Sequence, residues 1–394
     1  MKKNITNIDV QGKKVLLRVD FNVPMNNDFH ITDDTRIVDE LPTIQYLIEH
    51  GAKLVLCSHL GRPEGVVDPK LSLRPVVSRL TSLLNKPITF IEDIYDENTK
   101  KTIDGLQDGE IAMLENIRFL KEEEQNSEDL AKLLASFVDI YVFDAFATAH
   151  RKHASTYGVA KLLPNAVGFL VEKELEMFDK VLTTPEHPFV AIMGGAKISD
   201  KIPVIENLLD KVDTILIGGG MSYTFVKAIG GEVGQSLVDK QRIDIANEIL
   251  EKAKEKNVKI VLPIDNFGAD QFSNNAKRKR FNSGFFSKDF QGMDIGPSTT
   301  KKFKKVIKDA KTIVWNGPMG VYEFPIFRRG TRKIAKYVAK SKATSIIGGG
   351  DTVAAIQELG FTKRVTHIST GGGASLKLLG GDSLPCVDII EDKE

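Results

Sequence analysis

The sequence predicts two doubly wound α/β domains, each built on a parallel sheet and joined by a helix near the middle of the chain. Three observations carry that expectation. The chain has 394 residues, more than one hydrophobic core ordinarily serves. Its apolar residues gather in short runs rich in Val, Ile and Leu, which suit strands covered on both faces. Segments of helical period separate those runs, giving βαβ units throughout.

In chain order the runs are KVLLRVDF, AKLVLCSHL, EIAMLENIRF and DIYVFDAF, then FVAIMGG, TILIGGG, VKIVLPIDN, TIVWNGP, TSIIGGG and VTHISTGGG. Between the first two, Ile37, Leu41, Ile44, Leu47 and Ile48 form one helical stripe, and Gly51 follows as a C-terminal stop. VEKELEMFDKVL reads as a helix, and Pro185 and Pro188 punctuate the chain before FVAIMGG. The domain junction belongs in this helix and its flanks, with one domain over 1–170 and the other beginning at 171. Ser199 precedes a further stripe of Ile202, Ile205, Leu208, Leu209 and Val212.

Composition excludes several classes. Hydrophobic residues at 42% and charged residues at 27% are ordinary for a soluble globular protein. A net charge of +1 gives no global field for nucleic acid, so any anion site must come from local clustering. Cys57 and Cys386 match no metal-ligand spacing and read as reduced structural thiols. No apolar signal segment follows Lys2 and Lys3, and no run is long enough to span a bilayer, so a cytoplasmic location is expected.

Polar residues in the first half cluster where apolar runs end. Asp20 and Asn22 close one run, Ser58, His59, Gly61 and Arg62 a second, Asn116 and Arg118 a third, and Asp144, Thr148, His150, Arg151 and His153 a fourth. In open parallel sheets ligands bind beyond the carboxyl ends of the strands, so these loops should share a crevice. With Arg36 added, the crevice is rich in Arg and His and suits a small, highly anionic molecule, which Arg grips through bidentate forks. Asp20 reads equally as a turn or cap residue.

The second half carries GGAKISDK after a strand, with Gly194, Gly195, Lys197 and Lys201, and three triple-glycine turns at Gly218–Gly220, Gly348–Gly350 and Gly371–Gly373. Together they suggest a nucleotide phosphate site made of backbone N–H groups and helix N-termini. No GxxxxGK[ST] is present, and Tyr223, Val353 and Leu376 break the GxGxxG spacing, so the P-loop and dinucleotide fingerprints both fail. That argues against a nicotinamide-dependent dehydrogenase. Asp351 suits Mg²⁺ on a nucleotide and suits an N-cap equally well. Glu323 fits a ribose contact or a solvated surface.

RVDFNVP, TDDTRI, SHLGRP, LENIRF, DAFATAHRKHAST, GGAKISDKI, IGGGM, DIGP, WNGPMGVYE, GGGDT and STGGGAS occur in that order from Asp20 to Ser375. This series resembles the phosphoglycerate kinase family. The resemblance implies two Rossmann-like domains joined by a hinge helix, normally in a monomer, and reversible phosphoryl transfer between 1,3-bisphosphoglycerate and ADP giving 3-phosphoglycerate and ATP. It implies that Asp20, Phe21, Asn22, Arg36, His59, Leu60, Gly61, Arg62, Arg118 and Arg151 bind the phosphoglycerate. Lys197, Lys201, Gly292, Glu323, Gly349, Gly350, Asp351 and Thr352 would serve ATP or ADP, with Asp351 on Mg²⁺. Arg36, Lys197 and Gly372 would meet over the transferred group on closure. Residues 377–394 would return to the first domain, leaving 171–376 as the nucleotide domain. No nucleic acid or membrane partner is implied. A catalytically silent relative would be expected to lack Arg36, Lys197 or Asp351, and all three are present. Phe143, Ala147 and Lys152 depart from the usual pattern, and Arg328 and Arg329 make one segment more basic and read as a solvated face.

Overall fold

The computed structural model describes residues 1–393. The chain divides into two compact units, one formed by Met1–Glu176 with the residues from Ser383 onward, the other by Met177–Asp382. The division falls inside the helix Phe169–Thr183.

The first unit contains β1 (Lys14–Arg18), β2 (Lys53–Cys57), β3 (Ile88–Ile91), β4 (Ile111–Leu114), β5 (Ile140–Phe143) and β6 (Asn165–Val167). They form one sheet in the order β3-β4-β2-β1-β5-β6, every neighbouring pair parallel. The chain moves outward from β1 on one side, then resumes at β5 on the other. Connections that leave a sheet in opposite directions open a crevice at that point, so the loops after β1 and β5 frame the natural binding place.

The second unit contains β7 (Phe189–Met193), β8 (Thr214–Ile217), β9 (Lys259–Val261), β10 (Asp265–Ala269), β11 (Arg278–Asn282), β12 (Gln291–Ile295), β13 (Thr312–Asn316), β14 (Thr344–Gly348) and β15 (His367–Ile368). Six of them make a parallel sheet in the order β15-β14-β13-β7-β8-β9. Its reversal lies between β7 and β13, whose loops carry GGAKISDK and NGPMG. A separate antiparallel sheet has the order β11-β10-β12.

Each of the ten apolar runs contains a strand of one of the parallel sheets. The sequence did not reveal β3 and β6, which are the edges of their sheet, because β3 is only partly buried and β6 is three residues long. It also did not reveal β10–β12. Their polar composition, with exposed Arg278, Lys279 and Arg280 on β11, breaks the apolar pattern that marks a buried strand.

Helix Thr35–Glu49 packs Ile37, Ile44, Leu47 and Ile48 into a core with Val15, Leu17, Leu54 and Leu56. Burial of such side chains contributes roughly 1.5–3 kcal/mol each. The same face buries Glu40 and Thr43, which the apolar stripe did not include. In the second unit Trp315 is fully buried among Ile192, Leu216, Phe303 and Ile334. The helix expected soon after Ser199 opens at Ile202, with Pro203 in its first turn, so Gly194–Lys201 form a loop.

The C-terminal segment is tied to the first unit by main-chain bonds. Cys386 N–H donates to Ala149 O at 3.1 Å, Lys3 N–H to Glu391 O at 2.8 Å and Lys393 N–H to Met1 O at 2.9 Å. Helix Gly373–Leu379 lies in the second unit, so the return begins at Ser383 and not at 377. Cys57 and Cys386 are free and buried, and burial pushes both thiols up to about 12. No helix among the described residues is long and apolar enough to cross a membrane.

Candidate functional site

In the first unit the loops that follow the strands meet through side-chain hydrogen bonds. Asn22 Oδ1 accepts from Gly61 N–H at 2.8 Å, and Ser58 Oγ accepts from Phe21 N–H at 2.9 Å. Asn116 accepts from Leu60 N–H at 3.2 Å and donates to Leu60 O at 2.7 Å. Arg118 Nη1 donates to Gly61 O at 3.0 Å. The segments DFN, SHLGR and ENIR are thereby one assembly, with His59, Leu60 and Arg118 buried.

Charge is arranged around Asp20. Arg36, in the first turn of its helix, donates to Asp20 Oδ2, and His59 Nδ1 lies 3.9 Å from Asp20 Oδ1. Burial alone would raise the Asp20 carboxyl, but the charges of Arg36 and Arg18 outweigh it and hold it below the usual range. His59 goes the other way. Burial, helped by Arg18, Arg118 and Arg36, keeps its imidazole well below its ordinary value, so it is neutral near pH 7. Burial and the charges of Arg118, Arg18 and Arg151 likewise bring His153 down to about 4. The carboxylates facing the arginines are Asp20, Glu124, whose Oε1 lies 3.4 Å from Arg118 Nε, and Glu123, which feels the charges of Arg18 and Arg118.

These histidines give a prediction about stability. The unfolded chain binds protons at both rings near pH 6.5 while the folded protein does not, so stability falls as pH drops from 6.5 towards 4. His153 is expected to contribute up to ~2 kcal/mol of that fall. The urea midpoint followed against pH should show it, with a shallower slope in His153→Gln.

Arg62 is exposed and Arg151 half-buried. Arg151 donates to His150 Nε2 at 3.1 Å, and its charge also reaches Arg118. Arg18 escaped notice in the sequence. It is fully buried at the end of β1, donating to Ser155 Oγ at 2.8 Å and lying 3.3 Å from His59 Nδ1. A cation ending an otherwise apolar strand was the available signal. Glu123, which accepts from Ser155 at 2.6 and 2.8 Å, was hidden in the charge run KEEE.

The departures in the loop after β5 fit locally. Phe143 is buried in register with Arg18, and Ala147 sits in a 3₁₀ turn that needs no positive φ. Lys152 lies 5.0 Å from the Tyr157 ring.

In the second unit each triple glycine lies between a strand and a helix, and its middle residue has positive φ: Gly219 at 65°, Gly349 at 89° and Gly372 at 46°. Their surroundings differ. A Cβ on Gly218 or Gly219 would strike Met319 Sδ or Gly195 N at 2.6 Å, so this turn is bare for packing. A Cβ on Gly350 or Gly372 would meet nothing within 4 Å. Gly350 has neither a positive φ nor a crowded neighbour to require glycine, so its main chain is open to close approach. Gly292, on β12, is bare because Tyr223 occupies the space at 2.0 Å.

Thr352 Oγ1 accepts from Gly317 N–H at 2.6 Å, tying GGGDT to the loop after β13. Lys201 donates to Asn316 Oδ1, and burial lowers its ammonium against the opposing pull of Asp200 and Asp351. Lys197 is exposed, and no ion pair involves it among the described residues. Asp351 is not an N-cap: the helix Gly350–Glu358 has Gly349 at that position, and Asp351 is exposed in its first turn. Glu323 is exposed in a turn. Arg328 is more tightly held than a solvated charge, with Glu358 at 2.8 Å and Tyr322 O at 3.1 Å, while Arg329 is exposed. Among the described residues no group of three His, Cys, Asp or Glu could hold a metal alone. Asp351 as a single carboxylate fits a Mg²⁺ ion that arrives with phosphates, since such an ion needs only one or two protein carboxylates.

Each half-site thus gathers cations, or main-chain N–H groups at a helix start, in the loops that follow its parallel strands, an arrangement suited to anions and not to acid–base chemistry. Known proteins give it a family. The family model described as phosphoglycerate kinase matches residues 5–382. The phosphoglycerate kinases of Clostridium tetani and Clostridium botulinum (strain Hall) are 51% and 52% identical over 395 residues, covering 100% of this chain and 98% and 99% of theirs. The solved phosphoglycerate kinase of Coxiella burnetii superposes with a TM-score of 0.90 at 43% identity, covering 99% of this chain and 98% of that one. That of Pyrococcus horikoshii gives 0.85 at 35%, covering 98% of each. The chain belongs to the phosphoglycerate kinase family.

Proposed function

We propose that the chain carries out its family's reaction, the reversible transfer of a phosphoryl group between 1,3-bisphosphoglycerate and ADP to give 3-phosphoglycerate and ATP. The observation that supports it most is the family match across nearly the whole chain, with both half-sites inside the matched region. The first half-site, around Asp20, Asn22, Arg36, His59, Arg62, Arg118 and Arg151, takes the phosphoglycerate. The second, around Lys197, Lys201, Glu323 and Gly349–Thr352, takes the nucleotide.

No general base is needed. When ATP is consumed, the attacking group is a carboxylate already ionised at pH 7, and the neutral His59 and His153 have no proton to remove. The work is alignment and neutralisation of charge on the moving group. Arg36 from one unit, Lys197 from the other and the N–H groups around Gly372 supply it, which requires the units to approach during turnover by bending at the helix Phe169–Thr183. Asp351 would hold Mg²⁺, which when bound offsets phosphate charge. We place the enzyme in the cytoplasm as a monomer. A dehydrogenase or a silent relative finds no support in the comparisons.

The test is a coupled assay with Mg-ATP and 3-phosphoglycerate, in which NADH loss through glyceraldehyde-3-phosphate dehydrogenase reports 1,3-bisphosphoglycerate. Turnover abolished by EDTA is expected; its absence in folded, ATP-binding protein would reject the reading. A finer prediction concerns Gly350. Gly350→Ala should fold with unchanged or higher thermal stability, because the added methyl meets open space, yet raise KM for ATP about tenfold by intruding on the phosphate path.

A further inference from the structure

Helix Thr35–Glu49 buries one carboxyl that its packing does not explain. Glu40 is 1% exposed, and neither of its oxygens has an N–H or O–H donor in hydrogen-bonding geometry. The groups facing it are the Asp144 carboxyl and, outside good geometry, the Asp20 main-chain N–H. An ionised carboxylate without a donor is too costly to bury, and two side by side are costlier still.

Asp144 is fully buried but well supplied. It accepts from Thr43 Oγ1 at 2.6 Å and from Val171 N–H at 2.8 Å, and the Leu170 N–H faces it. Thr43 Oγ1 in turn accepts from Phe169 N–H at 3.0 Å. The chain at Gly168 runs so close that a Cβ there would lie 2.2 Å from the carboxyl. Burial raises the Asp144 carboxyl too, but Thr43, Val171 and Leu170 favour its charged form, whereas Glu40 has only the poorly placed Asp20 N–H, so the proton of the pair belongs on Glu40. A proton on Glu40 turns two clashing acceptors into a donor and an acceptor. In agreement, burial and then the Asp144 charge hold Glu40 well above the usual carboxylic range.

We propose that Glu40 is a positioning residue for phosphoryl transfer: as the neutral acid it donates to Asp144, and so steadies the carboxylate that receives the first turn of the helix Phe169–Thr183. The role in turnover rests on the function proposed above. That helix is where the chain passes from one unit to the other. The other charge that reaches Glu40 is Asp20, with its partner Arg36; the neighbouring Asp39 feels Lys173, Asp33, Glu174 and Arg36. Ionising Glu40 would set a second negative charge against Asp144 and Asp20 and loosen the helix start.

The test uses the full chain, wild type beside Glu40→Gln and Glu40→Ala. The infrared spectrum of the wild type at neutral pH should contain the C=O stretch of a protonated buried carboxylic acid, and Glu40→Gln should lack it. Glutamine can still donate to Asp144, so this variant should retain at least about half of kcat. Glu40→Ala should lose roughly tenfold in kcat, with each KM within about twofold, and the Phe169 and Val171 amides should exchange faster. Identical infrared spectra for wild type and Glu40→Gln, or wild-type kcat and amide exchange in Glu40→Ala, would overturn the proposal. If Glu40→Ala does not fold, the Glu40→Gln spectrum and activity still decide it. Loss of all turnover in the wild type, with the infrared and exchange differences intact, would reject phosphoryl transfer and not the proton on Glu40.

Discussion

Replacing Arg36 with alanine is expected to lower kcat by about 10²–10³-fold, the scale of removing one group that stabilises developing charge. Each KM should change far less. Arg36 is the half-exposed cation of the first half-site: its guanidinium grips Asp20 while 37% of the side chain remains exposed. It can therefore serve a bound carboxylate or phosphoryl group and remain fixed by its partner. Arg36→Lys separates charge from geometry, because an ammonium keeps the charge but not the planar fork, and should recover only part of the loss. A kcat unchanged in Arg36→Ala would exclude it from the transition state. The variant should also be somewhat less stable, since Asp20 stays buried with Arg18 as its remaining cation.

Lys197→Ala is the second large effect, with kcat expected to fall about 10²-fold. Its exposure, with no ion pair among the described residues, makes the prediction clean, because little folded-state packing is lost and the urea midpoint should hardly move. Lys201 offers the contrast. It is half-buried and tied to Asn316, so Lys201→Ala should cost stability and nucleotide affinity together. Steady-state kinetics beside denaturant titrations would separate the two lysines; equal effects on stability would undermine the distinction.

The parallel sheets were legible because a strand covered on both faces is written as continuous Val, Ile and Leu, and helices return the chain for the next one. The sheet β10–β12 was not, since strands that carry Arg278, Lys279 and Arg280 to solvent look like a loop. Most candidate site residues stand directly after strands, where polar residues interrupt apolar runs, so their positions could be read. What they touch could not. Arg18, Glu123 and Glu40 are charged residues in buried places, and only tertiary structure distinguishes them from solvated neighbours of the same type. The triple glycines show the same limit: three identical stretches of sequence, one bare for packing against Met319 and Gly195, one with Gly349 against Asn316 and Gly350 in open space, and one with open space at Gly372.

The main-chain bonds joining Lys3 to Glu391 and Met1 to Lys393 bear on synthesis. Met177–Asp382 is an unbroken stretch, so the second unit has every residue it needs once that stretch has been made. The first unit begins 176 residues earlier yet gains its contacts from Cys386 to Ala149 and from Glu391 to Lys3 only after that stretch has been made. Translation from the N-terminus therefore supplies every residue of the unit it started last before it supplies all of those of the unit it started first.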